Sequence, residues 1–207
     1  MRPSFNALKP LCLAALFCLG ANAQAEITVY TSQAAFLQAV SAPGYDSFDD
    51  LTLSPYDPTL PRTAGSYGYE AFSADGLWGA GGMGGDYWLS NNNGLQPIVF
   101  QNFSGGVSAI GGNFFTSDVA GQFITGNLIL SAADGSTLDY TLNNSTTGSY
   151  LGFVSDAALT SVSVGTDGGL YWPTANNVVL AVPEPATYGM MLAGVGLLGA
   201  AARRRRT

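Results

Sequence analysis

Histidine is missing from all 207 residues, and the two cysteines, Cys12 and Cys18, both lie among the first 25. Without histidine there is no Ser-His-Asp catalysis and no imidazole-based zinc site. Downstream of residue 25 there is no thiol, and therefore no disulfide, no thiolate nucleophile and no cysteine-ligated metal. That part of the chain must be held by its core alone. Positive charge is almost as scarce. Arg2, Lys9 and Arg203 to Arg206 occupy the ends, which leaves Arg62 as the one base between residues 26 and 182. Thirteen of the 14 acids fall in the same span, so its formal charge is −12 against −7 for the whole chain. Nucleic acid and anionic lipid surfaces need clustered cations, so neither is a partner for this body.

The ends explain where the bases went. MRPSFNALKP is basic and free of acid, LCLAALFCLG is short and apolar, and ANAQA places Ala21, Ala23 and Ala25 at the spacing a signal peptidase accepts. This is the layout of a secretory signal peptide over residues 1–25, cleaved after Ala25, or alternatively after Ala23. The apolar run is shorter than the roughly 20 residues that a bilayer core demands. Bulky Phe17 before Cys18 argues against a lipoprotein. Residues 26–182 then form a body of ordinary single-domain size.

The chain closes on VPEPATYGMMLAGVGLLGAAARRRRT. No charge occurs from Ala186 to Ala202, a run whose helix would span about 25 Å, near the lower limit for a bilayer. The four arginines prefer the cytoplasmic side. The expectation is a transmembrane sorting helix within a terminal segment, 183–207. Pro183-Glu184-Pro185, the apolar run, and Arg203, Arg204, Arg205 and Arg206 in that order resemble the PEP-CTERM protein-sorting signal of bacteria. Tyr188 stands where many members carry tryptophan. The resemblance implies an exported protein whose tail is removed by an exosortase, a membrane-embedded cysteine protease-transpeptidase, in a cell that makes exopolysaccharide. It further implies a surface or extracellular destination after transient membrane anchoring. On that reading the tail is an address and the body does the work.

Within the body, hydrophobic patterning points to short strands. QFITGNLILSAADGSTLDYTLNN places Leu128 and Leu130 on one side of a strand, then Leu138, Tyr140 and Leu142 on one side of the next, with Asp134-Gly135 at the turn. Val162 and Val164 alternate with Ser161 and Ser163. Helical spacing occurs once, in TSQAAFLQAVSA, with Thr31 or Ser32 as cap and Phe36, Leu37 and Val40 on one face, ending at Pro43-Gly44. GLWGAGGMGGDYWLSNNNG reads as a long ordered loop pinned by Trp78, Tyr87 and Trp88. Together these predict an all-β fold, a single jelly-roll-like β-sandwich with one short N-terminal helix. The body also resembles, loosely, the jelly-roll domains often found ahead of this sorting signal. The matching parts are Phe48-Asp49-Asp50, SAIGGNFF, SAADGST and YLGFVSD, while Asn176 replaces the aspartate of the terminal Asp-Asn-Val strand.

Three chemistries remain available. Calcium prefers carboxylate and carbonyl oxygens, and Asp46, Asp49, Asp50 and Asn177 are its candidate ligands, provided that the last strand pairs with the first region. A sugar ring stacks its apolar face on aromatics and bonds its hydroxyls to amides and carboxylates. Tyr87 and Trp88 with Asp86, Asn91, Asn92 and Trp172 are the candidates, and Trp78 is a further one. Glycosidase chemistry needs two carboxylates across a cleft. Glu70 with Asp75, Asp86 or Asp118 is the weakest proposition, since Asp118 and Asp156 sit in turn-like sequence. The expected function is that of an exported, non-enzymatic protein of the surface or extracellular matrix, contributing to exopolysaccharide or biofilm. The alternative is a carbohydrate-binding module with a defined, calcium-assisted sugar site, and a glycan-active enzyme is the outsider.

Overall fold

The computed structural model describes residues 26–168 and 170–184. The signal peptide read over 1–25 and the segment from Pro185 onward lie outside the described residues. The chain runs β1 (Ile27–Tyr30), α1 (Gln33–Ala39), β2 (Val40–Asp46), β3 (Pro55–Tyr56), β4 (Thr59–Ala64), β5 (Tyr67–Phe72), β6 (Leu77–Gly81), β7 (Tyr87–Asn91) and β8 (Ile98–Gln101). It continues with β9 (Ala109–Ser117), β10 (Phe123–Ile124), β11 (Leu128–Ala133), β12 (Thr137–Leu142), β13 (Tyr150–Ser155), β14 (Ser161–Thr166) and β15 (Trp172–Pro183).

The hairpin of β11 and β12 follows the alternation in its sequence. Leu128 pairs with Leu142, Leu130 with Tyr140 and Ala132 with Leu138. Leu128, Leu130 and Ala132 are fully buried, and the Asp134-Gly135 turn uses the positive φ of Gly135. These strands belong to a six-stranded sheet ordered β12-β11-β14-β8-β5-β4. Against it lies a nine-stranded sheet among the described residues, with the path β1-β13-β9-β15-β7-β6-β3, β10 added to β9 and β2 added to β15. Phe48, Phe100, Phe114, Leu77, Leu89, Ile98 and Phe153 are fully buried in the core between the two. Over the described residues the result is an all-β, two-sheet sandwich with one short α-helix.

β15 organises the larger sheet. One edge pairs with β9 along most of its length. On the other edge Ala175 meets Leu89 of β7, whereas Val178 to Pro183 pair with β2. The change of neighbour coincides with a bulge between Asn176 and Val179, where Asn177 takes a φ of 50°. Asparagine tolerates that left-handed conformation better than most residues.

Three expectations are corrected. Among the described residues no helix is long and apolar enough to cross a membrane. The α-helix they contain, α1, has seven residues, about 10 Å against the ~30 Å of a hydrocarbon core. The transmembrane helix expected over 186–202 is not found among the described residues, and the positions assigned to it lie outside them. The soluble helix is also shorter than its spacing suggested. It ends at Ala39, with Phe36 its buried residue, and Val40 to Asp46 continue as β2, whose backbone pairs with β15. Finally, the glycine-rich stretch is a hairpin rather than a loop. β6 pairs with β7 from Leu77↔Asn91 to Gly81↔Tyr87. Its glycines are needed at the tip: Gly81, at φ 75°, would place a Cβ 2.7 Å from the Trp88 ring.

Candidate functional site

Alternation along β6 and β7 decides which side chains leave the core. Leu77 and Leu89 point between the sheets, so Trp78 and its partner Ser90 project from the opposite face. The same holds farther along the sheet. Phe114 and Ala175 are in the core, whereas Ser117 and its partner Trp172 lie on the outer side. Because β7 separates β6 from β15, the two tryptophans rise from strands about 10 Å apart. Between them is a cleft of about 160 Å³, lined by Trp78, Ser90, Asn91, Ser117, Asp118 and Trp172, with Asn92, Val119 and Gly121 at its edge.

The floor is a closed set of hydroxyls. Ser117 and Thr174 are hydrogen-bonded at 2.8 Å, Thr174 donates to Ser90 at 3.3 Å, and Ser90 donates to the Pro173 carbonyl at 3.0 Å. All three are buried, so the outer face of the sheet is fixed beneath the indoles. The rim is equally constrained. Asp118 Oδ1 accepts from the backbone N–H of Ala120 and Gln122, both at 2.9 Å, and shapes the loop that closes one side. Asn92 donates to the Asp75 carbonyl at 3.2 Å. Asn91 donates to the Gln96 carbonyl at 2.7 Å and to Ser73, while its buried Oδ1 has no partner.

The sequence candidates for sugar binding divide into two groups. Trp172, Asn91 and Asn92, with Trp78, come together in the cleft. Tyr87, Trp88 and Asp86 do not line it. Trp88 is half-buried and packs edge-on against Phe115 at 4.9 Å. Tyr87 packs against the main core, and Asp86 accepts a hydrogen bond from Asn176 at 2.8 Å. Ser90, Ser117, Val119 and Gly121 escaped the sequence reading, and Asp118 was named there only as a glycosidase carboxylate in turn-like sequence. Ser90 was accessible to it through the alternation after Leu89. The pairing of Ser117 with Trp172 joins residues 55 positions apart by numbering and leaves no local signal.

The calcium candidates have a different arrangement. Asp46 does pair beside the last strand, opposite Val178, next to Asn177. Its carboxylate, however, faces Arg62, which donates Nε to Oδ2 at 2.9 Å and Nη2 to Oδ1 at 2.6 Å. The same guanidinium donates to both oxygens of Asp50, at 2.7 and 2.6 Å. The arginine cation thus occupies the space between the carboxylates that a metal would require. Burial pulls the Arg62 pKa down, but the hydrogen bonds to Asp50 and Asp46 outweigh it and the net shift is upward. The hydrogen bond from Arg62 holds Asp50 below the usual carboxylate range. Asp49 stands apart and accepts from the Tyr87 backbone N–H at 3.4 Å. Among the described residues no three acidic groups assemble as a metal site. Glu70, on β5 of the other sheet, accepts from Asn102 at 2.6 Å and is not a cleft residue.

The far end of β15 carries the other candidate motif. Val182 pairs with Ser41 and Pro183 with Val40, and the Glu184 N–H donates to the Ala39 carbonyl at 3.2 Å. The description "PEP-CTERM protein-sorting motif" matches residues 181–206. The chain carries a PEP-CTERM sorting motif. It supports export to the cell surface or extracellular space, and it implies processing by an exosortase-like enzyme. No curated protein matches the chain. Among solved structures, a mutant of a family 29 carbohydrate-binding module, determined to probe ligand recognition by that family, is similar at 11% identity, over 77% of this chain and 93% of that one, with a TM-score of 0.31. A likeness of that size carries no argument about the site of this PEP-CTERM-bearing protein.

Proposed function

We propose that this protein is an exported, non-catalytic glycan-binding sandwich that works at the cell surface or in the extracellular matrix through the Trp78–Trp172 cleft. The observation that carries the reading is the pair of outward tryptophans over a fixed hydroxyl floor, with amides and one carboxylate at the rim. Indoles offer large rigid apolar faces to the C–H side of a pyranose ring. Ser, Asn and Asp offer the donors and acceptors that its hydroxyls need. The cleft is smaller than the roughly 300–1,000 Å³ of a drug-sized ligand pocket. It suits a short stretch of an extended polymer lying across an open face.

Charge narrows the ligand. The ionisable group in the cleft is Asp118, and Arg62 is held by Asp46 and Asp50. Nothing in this arrangement would neutralise uronate, sulfate or phosphate, so the expected ligand is a neutral polysaccharide. Glycan-array binding of the full chain, followed by titration with the best neutral oligosaccharide, tests the proposal. Trp172→Ala is expected to weaken binding tenfold or more, equivalent to about 1.4 kcal/mol, and Trp78→Ala similarly, while Trp88→Ala leaves affinity unchanged. Equal affinity for Trp172→Ala and the parent would remove the cleft from the proposal. Absence of all glycan binding would leave only a matrix role without a ligand site.

A further inference from the structure

We infer that Asp118 makes the cleft a reader of free sugar hydroxyls: it takes unesterified stretches of a neutral polysaccharide and rejects stretches whose hydroxyls are O-acylated. This extends, and rests on, the glycan reading of the cleft. The protons of the floor are all accounted for. A carbonyl can only accept, so the bond from Ser90 to the Pro173 carbonyl uses the Ser90 proton. The Thr174–Ser90 bond is then donated by Thr174, and the Ser117–Thr174 bond by Ser117. All three protons thus run along the sheet and end on the main chain. Asn91 gives its two amide protons to Ser73 and to the Gln96 carbonyl. Neither the floor nor Asn91 keeps a side-chain donor for a sugar.

Asp118 is the acceptor left at the ligand's level. It is half-buried just past the end of β9, and its Oδ1 is spent on the Ala120 and Gln122 amides. Among the described residues no donor reaches Oδ2. The carboxylate is also held in place before a ligand arrives, which lowers the cost of binding. The Asp118 N–H donates to the Gln122 carbonyl at 2.8 Å, and the Gly121 N–H to the Asp118 carbonyl at 2.9 Å. The loop is tied to the end of β6 as well. The Gly81 N–H donates to the Gly121 carbonyl at 2.9 Å, and the Gln122 side-chain amide to the Gly81 carbonyl at 3.4 Å. A Cβ on Gly121 would stand 3.1 Å from that of Ala80, so the loop lies close against the sheet. A sugar hydroxyl donating to Oδ2 makes a charge-assisted bond. An acetyl ester in its place carries two acceptor oxygens and no proton. It would cover Oδ2 without a donor and find none on the floor for its own carbonyl. The donors that remain, the indole N–H groups and the second amide proton of Asn92, belong to the walls and the rim.

The test is a paired array of neutral hexasaccharides (β-glucan, mannan, xylan and galactan), each printed unmodified and O-acetylated, probed with the full chain and with Asp118→Asn. Asparagine keeps an Oδ1 acceptor for the loop and puts an NH2 donor where Oδ2 was. The parent should bind the unmodified member of a pair about tenfold or more tighter than the acetylated one. Asp118→Asn should shrink that ratio to about threefold or less. A carboxylate that only shaped the loop would weaken both members alike and leave the ratio unchanged. Because the ratio is read within one chain, partial unfolding of the variant cannot mimic its collapse. Equal binding of both members by the parent, or an unchanged ratio in Asp118→Asn, overturns the inference and leaves the cleft as a glycan site. No binding to any member of the array overturns the glycan reading, and the hydroxyl preference with it.

Discussion

Replacing Arg62 with methionine should lower the unfolding free energy by about 3–5 kcal/mol, the cost of leaving a buried charge without its partner. The side chain of Asp46 is 3% exposed and that of Arg62 10%. Arg62 grips two carboxylates through a planar fork, which lysine cannot reproduce, so Arg62→Lys should recover little. The guanidinium also lies over the Phe48 ring, 5.2 Å from its centroid. Phe48 is fully buried and sits at φ 64°, a strained setting held partly by its N–H bond to Asp46. Tyr69 donates its hydroxyl to the same carboxylate at 2.7 Å, and burial together with the Asp46 charge pushes its pKa up. Losing Arg62 therefore loosens a turn, a core aromatic and a tyrosine at once. Adding Asp46→Asn to Arg62→Met should restore part of the loss, since the orphaned charge is then gone; urea unfolding of the four chains gives the coupling directly. The pH dependence follows from Asp50. Its folded pKa is depressed by Arg62, so its stabilisation is present above the ordinary carboxylate value near 4 and disappears as pH falls through the lower folded pKa. The parent should lose this contribution in acid, and the Arg62→Met chain should lack that part of the acid slope.

Arg62 shows what the sequence could and could not convey. A lone cation among thirteen acids was visible by counting, and such isolation is itself a signal of a specific partner. Which acids it joins depends on pairing β4 beside β5 and bringing the Asp46–Asp50 turn over them, a tertiary fact. The calcium expectation drew on the same carboxylates and was blind to the cation lying between them. Strand type was legible wherever one face is buried, as in Leu128–Ala133 and Val162–Val164, because a period of two survives in the residue pattern. It was illegible in β6, where Gly79 and Gly81 interrupt one face, and in β7, where Tyr87, Trp88 and Leu89 are apolar in succession, so that neither strand shows a period of two. The cleft followed the same rule. Its tryptophans, Asn91 and Asn92 could be nominated by type, but Tyr87 and Trp88 looked equally suitable. Only the fold distinguishes the indoles that line the cleft from an indole packed against Phe115.

The socket beneath α1 should be the other position of large effect. Phe36 is fully buried and meets Tyr30 and Tyr150 at 6.2 and 5.8 Å between ring centroids. It can reach the sheet because β9 and β13 present glycines there. A Cβ on Gly152 would stand 2.4 Å from Phe36 Cδ2, and one on Gly111 would stand 2.1 Å from the Tyr150 hydroxyl oxygen. Phe36→Ala should cost about 3–5 kcal/mol through lost burial and a residual cavity. Gly152→Val should cost about 1–3 kcal/mol by overpacking. In combination the two should be less damaging than their sum, because the added methyls enter space that the ring has left. Thermal melting and urea unfolding measure all three. The same cluster contains Val40, Val179 and Ala181, so it closes the seam between β2 and the end of β15. Phe36→Ala in the full-length chain should accordingly expose the bonds around 181–184 to protease while leaving neutral-glycan affinity, governed by the opposite end of β15 at Trp172, close to that of the parent. Loss of glycan affinity together with unchanged protease resistance at the seam would show that this division of labour along β15 is wrong.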